Sequence, residues 1–309
     1  NTSILINQAN NVNLSGDVLA ATDLTISNVN TEVQLGTNVD LTATSGTVDV
    51  NDSVTLIDLA GTGTNEITAG TNVELSEVTD SANAVELGIS AGEDITTANI
   101  TLNNLATVLL DVNVDTADSG ATLSAGNLTA GQITVDGSGT NDTFNLLGTV
   151  TSSNTSILIN QANNVNLSGD VTAATDLTIS NVNTEVQLAT NVDLTATSGT
   201  IDINDSVTLI DLAGTAAHEI TAGTNVELSA ITDSANVTEL GISAADDITT
   251  ADITLNNLST VLLDVNVDMT DSGATLSVGN LTAGQITVDG TGTNDTFNFL
   301  GTVTSSNTT

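Results

Sequence analysis

Apolar and polar residues alternate along this chain in short bursts of three. Val12-Asn13-Leu14, Leu24-Thr25-Ile26, Val33-Gln34-Leu35 and Val39-Asp40-Leu41 open the series. Val48-Asp49-Val50, Val54-Thr55-Leu56, Val73-Glu74-Leu75, Val85-Glu86-Leu87, Ile100-Thr101-Leu102 and Ile133-Thr134-Val135 continue it. A period of two marks a short, half-buried strand, and the β-branched residues stand where a pleated surface accommodates them. Between the triplets lie Gly, Asn, Asp, Ser and Thr, as in "NLSGD", "ATSGT" and "GTGTN", which are turn formers. No window carries the spacing of an amphipathic helix.

The distance between triplets decides how such strands are joined. Val12, Val33 and Val54 are evenly spaced, and Val73 follows at a slightly shorter interval. Many short strands also suit an antiparallel sandwich or barrel. A recurrence of about 20 residues with two or three strands in it instead predicts one coil of an all-β parallel β-helix, a β-solenoid. In that fold each coil stacks on the last at about 4.8 Å. Coils of about 19–22 residues are expected. Val12, Leu14, Val33, Leu35, Val54 and Leu56 should lie inside, and Asn13, Gln34 and Thr55 outside.

A second, longer period contains the first. Residue i matches residue i+153, and Asn1–Ser153 differs from Asn154–Ser306 at 20 positions, so the chain is a tandem duplication. Asn307-Thr308-Thr309 begins a third copy. With no linker between them, residues 1–153, 154–306 and 307–309 read as one continuous solenoid, with seven or eight coils per copy. The substitutions fit that reading. Val48, Val50 and Val78 become Ile201, Ile203 and Ile231, and Leu146 becomes Phe299, apolar for apolar. Gly36, Gly63 and Gly92 become Ala189, Ala216 and Ala245, so these glycines are not expected to need a positive φ.

The stretches "NNVNLSGDVLAATDLTISN" and "GTNVDLTATSGTVDVNDSV" resemble the repeat regions of filamentous-haemagglutinin-type adhesins of two-partner secretion and of giant bacterial cell-surface β-helix proteins. The resemblance covers the whole chain and is one of composition and rhythm. It implies a right-handed parallel β-helix that displays binding surfaces away from a cell.

Composition narrows the chemistry. There is no Lys, Arg, Pro, Cys, Trp or Tyr, and only three Phe, so the interior must be built from aliphatic side chains. A hydrophobic content of 39% argues against disorder despite the low complexity. Thirty-eight acids against no Lys or Arg give a net charge of −38. Nucleic acid and anionic membrane are thereby excluded as direct electrostatic partners. Cysteine-based disulfides, catalysis and metal sites are excluded with them. No apolar run approaches the length of a membrane span, and no segment has the charged start of a secretory signal.

Few residues could carry site chemistry. His218 is the only histidine; its counterpart is Asn65, and it reads as a solvent-facing turn residue. "DVNVDTADSG" gives Asp111, Asn113 and Asp115 the alternation that opens a calcium loop. The sixth and twelfth places, however, hold Thr116 and Thr122, and Val112 and Val114 read as inward strand residues. "DGSGTNDTFN" resembles the calcium-binding nonapeptide repeats of secreted toxins. Asp136 and Asp142, with Asp289 and Asp295 in the second copy, are the candidate calcium ligands there. Asn-x-Ser/Thr acceptors recur, among them Asn13, Asn51, Asn99, Asn127 and Asn141. No nucleophile–base pair or phosphate-cradling loop emerges, and no enzymatic activity is expected.

The sequence therefore reads as a structural or adhesive repeat segment, a stiff element of an extracellular filament or cell-surface adhesin. A calcium- or glycan-binding surface module of a secreted repeat protein is the alternative. A polysaccharide-cleaving β-helix is disfavoured by the missing Lys, Arg, Tyr and Trp. No cofactor is required on this reading, and calcium is the one ion to consider. The expected partners are further coils, of this chain or another copy, joined end to end or side by side, and cell-surface glycans. Carboxylates on successive coils about 5 Å apart repel by about 0.8 kcal/mol per pair in water. Staggering, high salt or divalent cations must offset this.

Overall fold

The computed structural model describes residues 2–58, 61–81, 83–114, 120–139, 141–211, 214–234, 236–256, 258–267 and 273–306. Among these there is no helix; 36 short strands follow one another. The chain forms two compact units, Asn1–Asn163 and Asn164–Thr309. Each is a parallel β-solenoid.

In the first unit the chain visits three parallel sheets in turn. Ile4–Asn7, Leu24–Ser27, Val48–Val50, Val73–Leu75, Ile95–Thr97, Thr122–Ala125 and Thr143–Leu146 stack as the first. Asn11–Leu14, Glu32–Leu35, Val54–Leu56, Val78–Asp80, Ile100–Thr101, Leu128–Ala130 and Val150–Ser152 form the second. Val18–Ala20, Leu41–Ala43, Thr64–Ala69, Glu86–Ala91, Thr107–Val112, Gln132–Gly137 and Ile157–Asn160 form the third.

Parallel register puts like on like. Leu24, Val48, Val73, Ile95, Leu123 and Phe144 rise as one fully buried column, and Val33, Val54, Val78, Ile100, Leu128 and Val150 as a second. Leu41, Ile67, Ile89, Leu110, Val135 and Ile159 complete a core without a Trp or Tyr. Most of the triplets thus supply two inward side chains and one outward side chain, as expected; Val85 is the exception, 38% exposed just before the strand Glu86–Ala91. Leu14 alone of the expected interior is only partly buried, because it lies in the first coil.

Coil length is less regular than triplet spacing suggests. Val12 stacks on Val33 and Val33 on Val54. Val54, however, stacks on Val78, while Val73 belongs to Val48 on another sheet. The extra residues lie in the loops, which make the coil from Ile95 to Leu123 longer than the coil from Ile4 to Leu24. The first copy consequently occupies 20 strand positions, six turns and two sides, just short of the seven or eight coils expected. The 153-residue repeat is not a whole number of turns. Ile4 begins the first sheet, but its equivalent Ile157 is laid on Ile133 in the third.

Corners take their geometry from side chains that tolerate the left-handed region. Gln8 (φ 61°) and Asn28 (φ 54°) bend Ile4–Leu14 and Leu24–Leu35, so that each serves two sheets. Asn38, Asn83 and Asn113 do the same elsewhere. Gly120 and its equivalent Gly273 need glycine, at φ 82° and 81°. Gly36, Gly63 and Gly92 have no positive φ, as expected, but a Cβ at Gly92 would lie 2.3 Å from Gly70 O, so the equivalent Ala245 requires a local shift of the coil backbone.

The second unit repeats the plan. Its sheets run from Leu177 through Ile201, Val226, Ile248 and Leu276 to Phe297; from Val186 to Val303; and from Val171 to Val288. In its last described coil Phe297 and Phe299 are each 42% exposed, whereas their equivalents Phe144 and Leu146 are fully buried. Phe144→Ala should therefore cost about 3–5 kcal/mol in urea unfolding. Phe297→Ala should cost less than half as much, although the two residues occupy the same place in the repeat.

Candidate functional site

The 38 acids find no Lys or Arg, so their partners must be uncharged donors. At the corners those donors are backbone N–H groups of the neighbouring coil. Asp17 Oδ1 accepts from Asp40 N (3.2 Å), and Asp40 Oδ1 accepts from Glu66 N (2.9 Å). Asn72 accepts from Asp94 N (3.2 Å) and Asp94 from Thr122 N (2.8 Å). Asn99 accepts from Asn127 N and Asn127 from Thr149 N, both at 2.9 Å. The second unit keeps the device: Asp193 accepts from Glu219 N, Asp247 from Thr275 N and Asn280 from Thr302 N. These residues directly precede the first inward residue of a strand, as in Asp40-Leu41, Asp94-Ile95 and Asn127-Leu128. That placement was legible in the sequence, but its purpose was not. It also explains why Asn99 can become Asp252, which accepts both Asn280 N (2.7 Å) and Asn280 Nδ2 (3.0 Å). Those two bonds, the side-chain one first, hold the Asp252 carboxyl below its usual range.

Outward rows are largely staggered in charge. The second sheet of the first unit presents Asn13, Gln34, Thr55, Thr79, Thr101, Thr129 and Thr151, a row of neutral side chains, with the Glu32 carboxylate at its edge accepting from Gln34 Nε2 and Thr55 Oγ1, both at 2.6 Å. Acids meet directly at Asp49–Glu74 on the first sheet and at Asp111–Asp136 on the third. At the latter, burial, then Asp136, then Asp142 raise Asp111 to about 6. Burial also raises Asp136, against hydrogen bonds from Asn160 Nδ2 (3.0 Å) and Gly137 N (3.1 Å). Asp264, paired with Asp289 in the second unit, is raised by burial and by that neighbour.

The four expected calcium ligands divide into two kinds. Asp136 and Asp289 face outward on strands, each accepting from the following glycine N–H. Asp142 turns inward and is fully buried; its Oδ1 accepts from Ala121 N (2.9 Å) and Asn113 Nδ2 (3.2 Å). Asp295 makes the same two bonds, to Ala274 N (3.1 Å) and Asn266 Nδ2 (3.2 Å). Gly137 is required over this carboxylate, since a Cβ there would lie 2.6 Å from Asp142 Oδ2. Among the described residues no group of three or more His, Asp or Glu is arranged to hold a metal ion, and no ligand-sized cavity is enclosed. Asp115, of the other expected calcium motif, lies outside the described residues. Within that motif Val112 points inward as expected, but Val114 is 37% exposed. The strand ends at Val112, and Asn113, at φ 63°, takes the inward place, which breaks the alternation.

His218 departs from its expected place at the solvent-facing surface. It is fully buried, with Nδ1 donating to Val192 O at 3.0 Å. Its equivalent Asn65 is buried too, and Nδ2 donates to Gly36 O (2.9 Å) and Val39 O (2.8 Å). The two fill one corner by different means. The neighbouring exchanges of Gly36, Gly63 and Thr64 for alanine fall at the same corner. Of the possible glycan acceptors, Asn13, Asn51, Asn127 and Asn141 are exposed, and Asn127 already uses its oxygen at a corner.

Compared with protein-family models, curated proteins and solved structures, the chain matches none.

The rows and corners carry two expectations. Asp111 binds its proton more tightly folded than unfolded, so its contribution is full below pH about 4 and is lost as pH rises through 6. Asp111→Asn should therefore raise the Tm at pH 7.5 and leave it nearly unchanged at pH 4. His218→Ala should lower stability by roughly 2–4 kcal/mol through the cavity and the unpaired carbonyl. A change within about 0.5 kcal/mol would place it at the surface.

Proposed function

We propose that the chain is a structural and adhesive repeat segment, a stiff β-solenoid element of an extracellular filament or cell-surface adhesin similar to the filamentous-haemagglutinin type. The observation that carries this reading is that two near-identical copies are spent on coils. Core columns, corner acceptors and outward rows recur from coil to coil, and the polar side chains at the corners are occupied in holding the next coil. No catalytic role is assigned to any residue, and the one histidine is enclosed in the core. On this reading stiffness comes from backbone hydrogen bonds running along the axis of each unit.

A second reading, a calcium- or glycan-binding surface, draws on a different observation. The Asp111–Asp136 pair sits in register, with Asp111 raised to about 6 by burial first and by its acidic neighbours second, and a divalent cation would relieve the repulsive part. The neutral threonine row beside it offers a regular set of hydroxyls to a polysaccharide.

Hydrogen exchange separates the readings. The structural role predicts strand amides protected in both units to a common slow limit, unchanged by millimolar calcium or by soluble glycans. Protection that rises only at residues 107–114 and 132–137 on adding calcium would favour the binding surface. Unprotected strands would contradict the structural role.

A further inference from the structure

The third sheet of the first unit widens from one coil to the next. Leu41, Thr42 and Ala43 lie in parallel register with Ile67, Thr68 and Ala69, but the second of these strands begins earlier, at Thr64. Thr64, Asn65 and Glu66 therefore have a strand on one side only, formed by Glu86, Leu87 and Gly88 of the following coil. On their other side lies the corner of residues 36–40, which is not a strand. Backbone groups that face such a corner have no ladder to join, and each buried one needs another partner.

Side chains close that gap. Thr64 N donates to Asn38 Oδ1 (3.0 Å) and Glu66 N to Asp40 Oδ1 (2.9 Å). In the opposite direction Asn65 Nδ2 donates to Gly36 O (2.9 Å) and Val39 O (2.8 Å). Asn38 reaches its place at φ 56°, a conformation that asparagine tolerates. The second unit has the same step, where Leu194–Ala196 gives way to Ala217–Ala222. There Ala217 N donates to Asn191 Oδ1 (3.1 Å), Glu219 N to Asp193 Oδ1 (2.8 Å) and His218 Nδ1 to Val192 O (3.0 Å). Asn65 also stands at the foot of an inward column that continues through Leu87, Val108, Ile133 and Ile157, all fully buried. His218 starts the equivalent column, with Leu240 and Val261 next.

We propose that Asn38, Asp40 and Asn65 form a widening step, a set of side chains that stands in for the strand missing beside residues 64–66 and fixes where the coil grows wider. The two outward oxygens take the N–H groups, and the inward amide takes the carbonyls. A polar residue at the foot of an apolar column follows from this. It faces carbonyls on one side and Leu87 on the other, so an apolar side chain there would leave the buried Val39 carbonyl without its donor. Asn65 in one copy and His218 in the other both supply that donor, which is why two such unlike side chains occupy one position. The step belongs to the register of the chain's own coils and does not rest on an adhesive role.

Site-resolved hydrogen exchange on the full chain tests the step. Asp40→Ala should speed exchange of the Glu66 amide about tenfold, the loss of one hydrogen bond to a charged group. The amides of residues 67–69, which pair with Leu41–Ala43, should stay protected. Asp40→Asn loses the charge but keeps the acceptor, and should leave Glu66 as in the wild type. Asn38→Gly keeps the left-handed φ, removes the acceptor and should act on Thr64 as Asp40→Ala acts on Glu66. Asn65→Leu should lower the urea midpoint more than Asn65→His does, although leucine matches the rest of the column. Unchanged exchange at Glu66 and Thr64, or equal acceleration throughout residues 64–69, overturns the proposal, as does an Asn65→Leu variant as stable as the wild type. If Asp40→Ala does not fold, Asn38→Gly and Asp40→Asn decide the matter at the same two amides.

Discussion

Everything in this fold depends on one constraint: each coil must present to the next a strand in parallel register, with like side chains one above another. Backbone N–H and C=O groups point along the stack, so a coil without a neighbour leaves a row of them unpaired. Register then governs the interior, because an apolar column such as Leu24–Val48–Val73–Ile95–Leu123–Phe144 packs only if every coil contributes at the same height. A one-residue slip would turn that column outward. Aromatic bulk is dispensable in so narrow a core, and the lone Phe of the first copy is accommodated where Gly137 makes room beside it.

The same constraint answers the charge problem. A stack of coils brings acids into vertical neighbourhood, and this chain has no Lys or Arg to separate them. Most of its corner acids and amides are instead placed where a backbone N–H of the next coil points at them, as at Asp40, Asp94 and Asn127. A carboxylate so placed is a hydrogen-bond acceptor first and a charge second. Two acids do fall in register at a few places, and at Asp111–Asp136 and its equivalent Asp264–Asp289 burial first and then repulsion show in the raised Asp111 and Asp264. Such pairs give up stability at neutral pH.

Much of this was legible in the sequence and some was not, for physical reasons. Period-two triplets between turn formers gave the strands and their inward faces. The even spacing of Val12, Val33 and Val54 gave true stacking partners. The third spacing misled, because loops absorb insertions without disturbing the strands, and Val54 passes over Val73 to meet Val78. Alternation does not reveal which polar residues turn inward. His218, expected at the surface, is buried, and Asn65, Asp142 and Asn113 turn inward with it, each because a carbonyl, an amide or another polar side chain awaits it there. Asp136 and Asp289 were read as calcium ligands with Asp142 and Asp295. The fold places the first two on an outward row and gives the second two corner hydrogen bonds.

Stacking in register is the central claim, and intramolecular cross-linking within the first unit tests it most directly. Thr55 and Thr79 face outward on adjacent coils in register. The double variant Thr55→Cys, Thr79→Cys should therefore close an intramolecular disulfide rapidly under mild oxidation. Thr55→Cys with Glu74→Cys, the pairing that triplet spacing alone suggests, should remain open, since Glu74 stacks on Asp49 in a different sheet. Fast closure of the second pair and not the first would contradict the register on which the whole account rests.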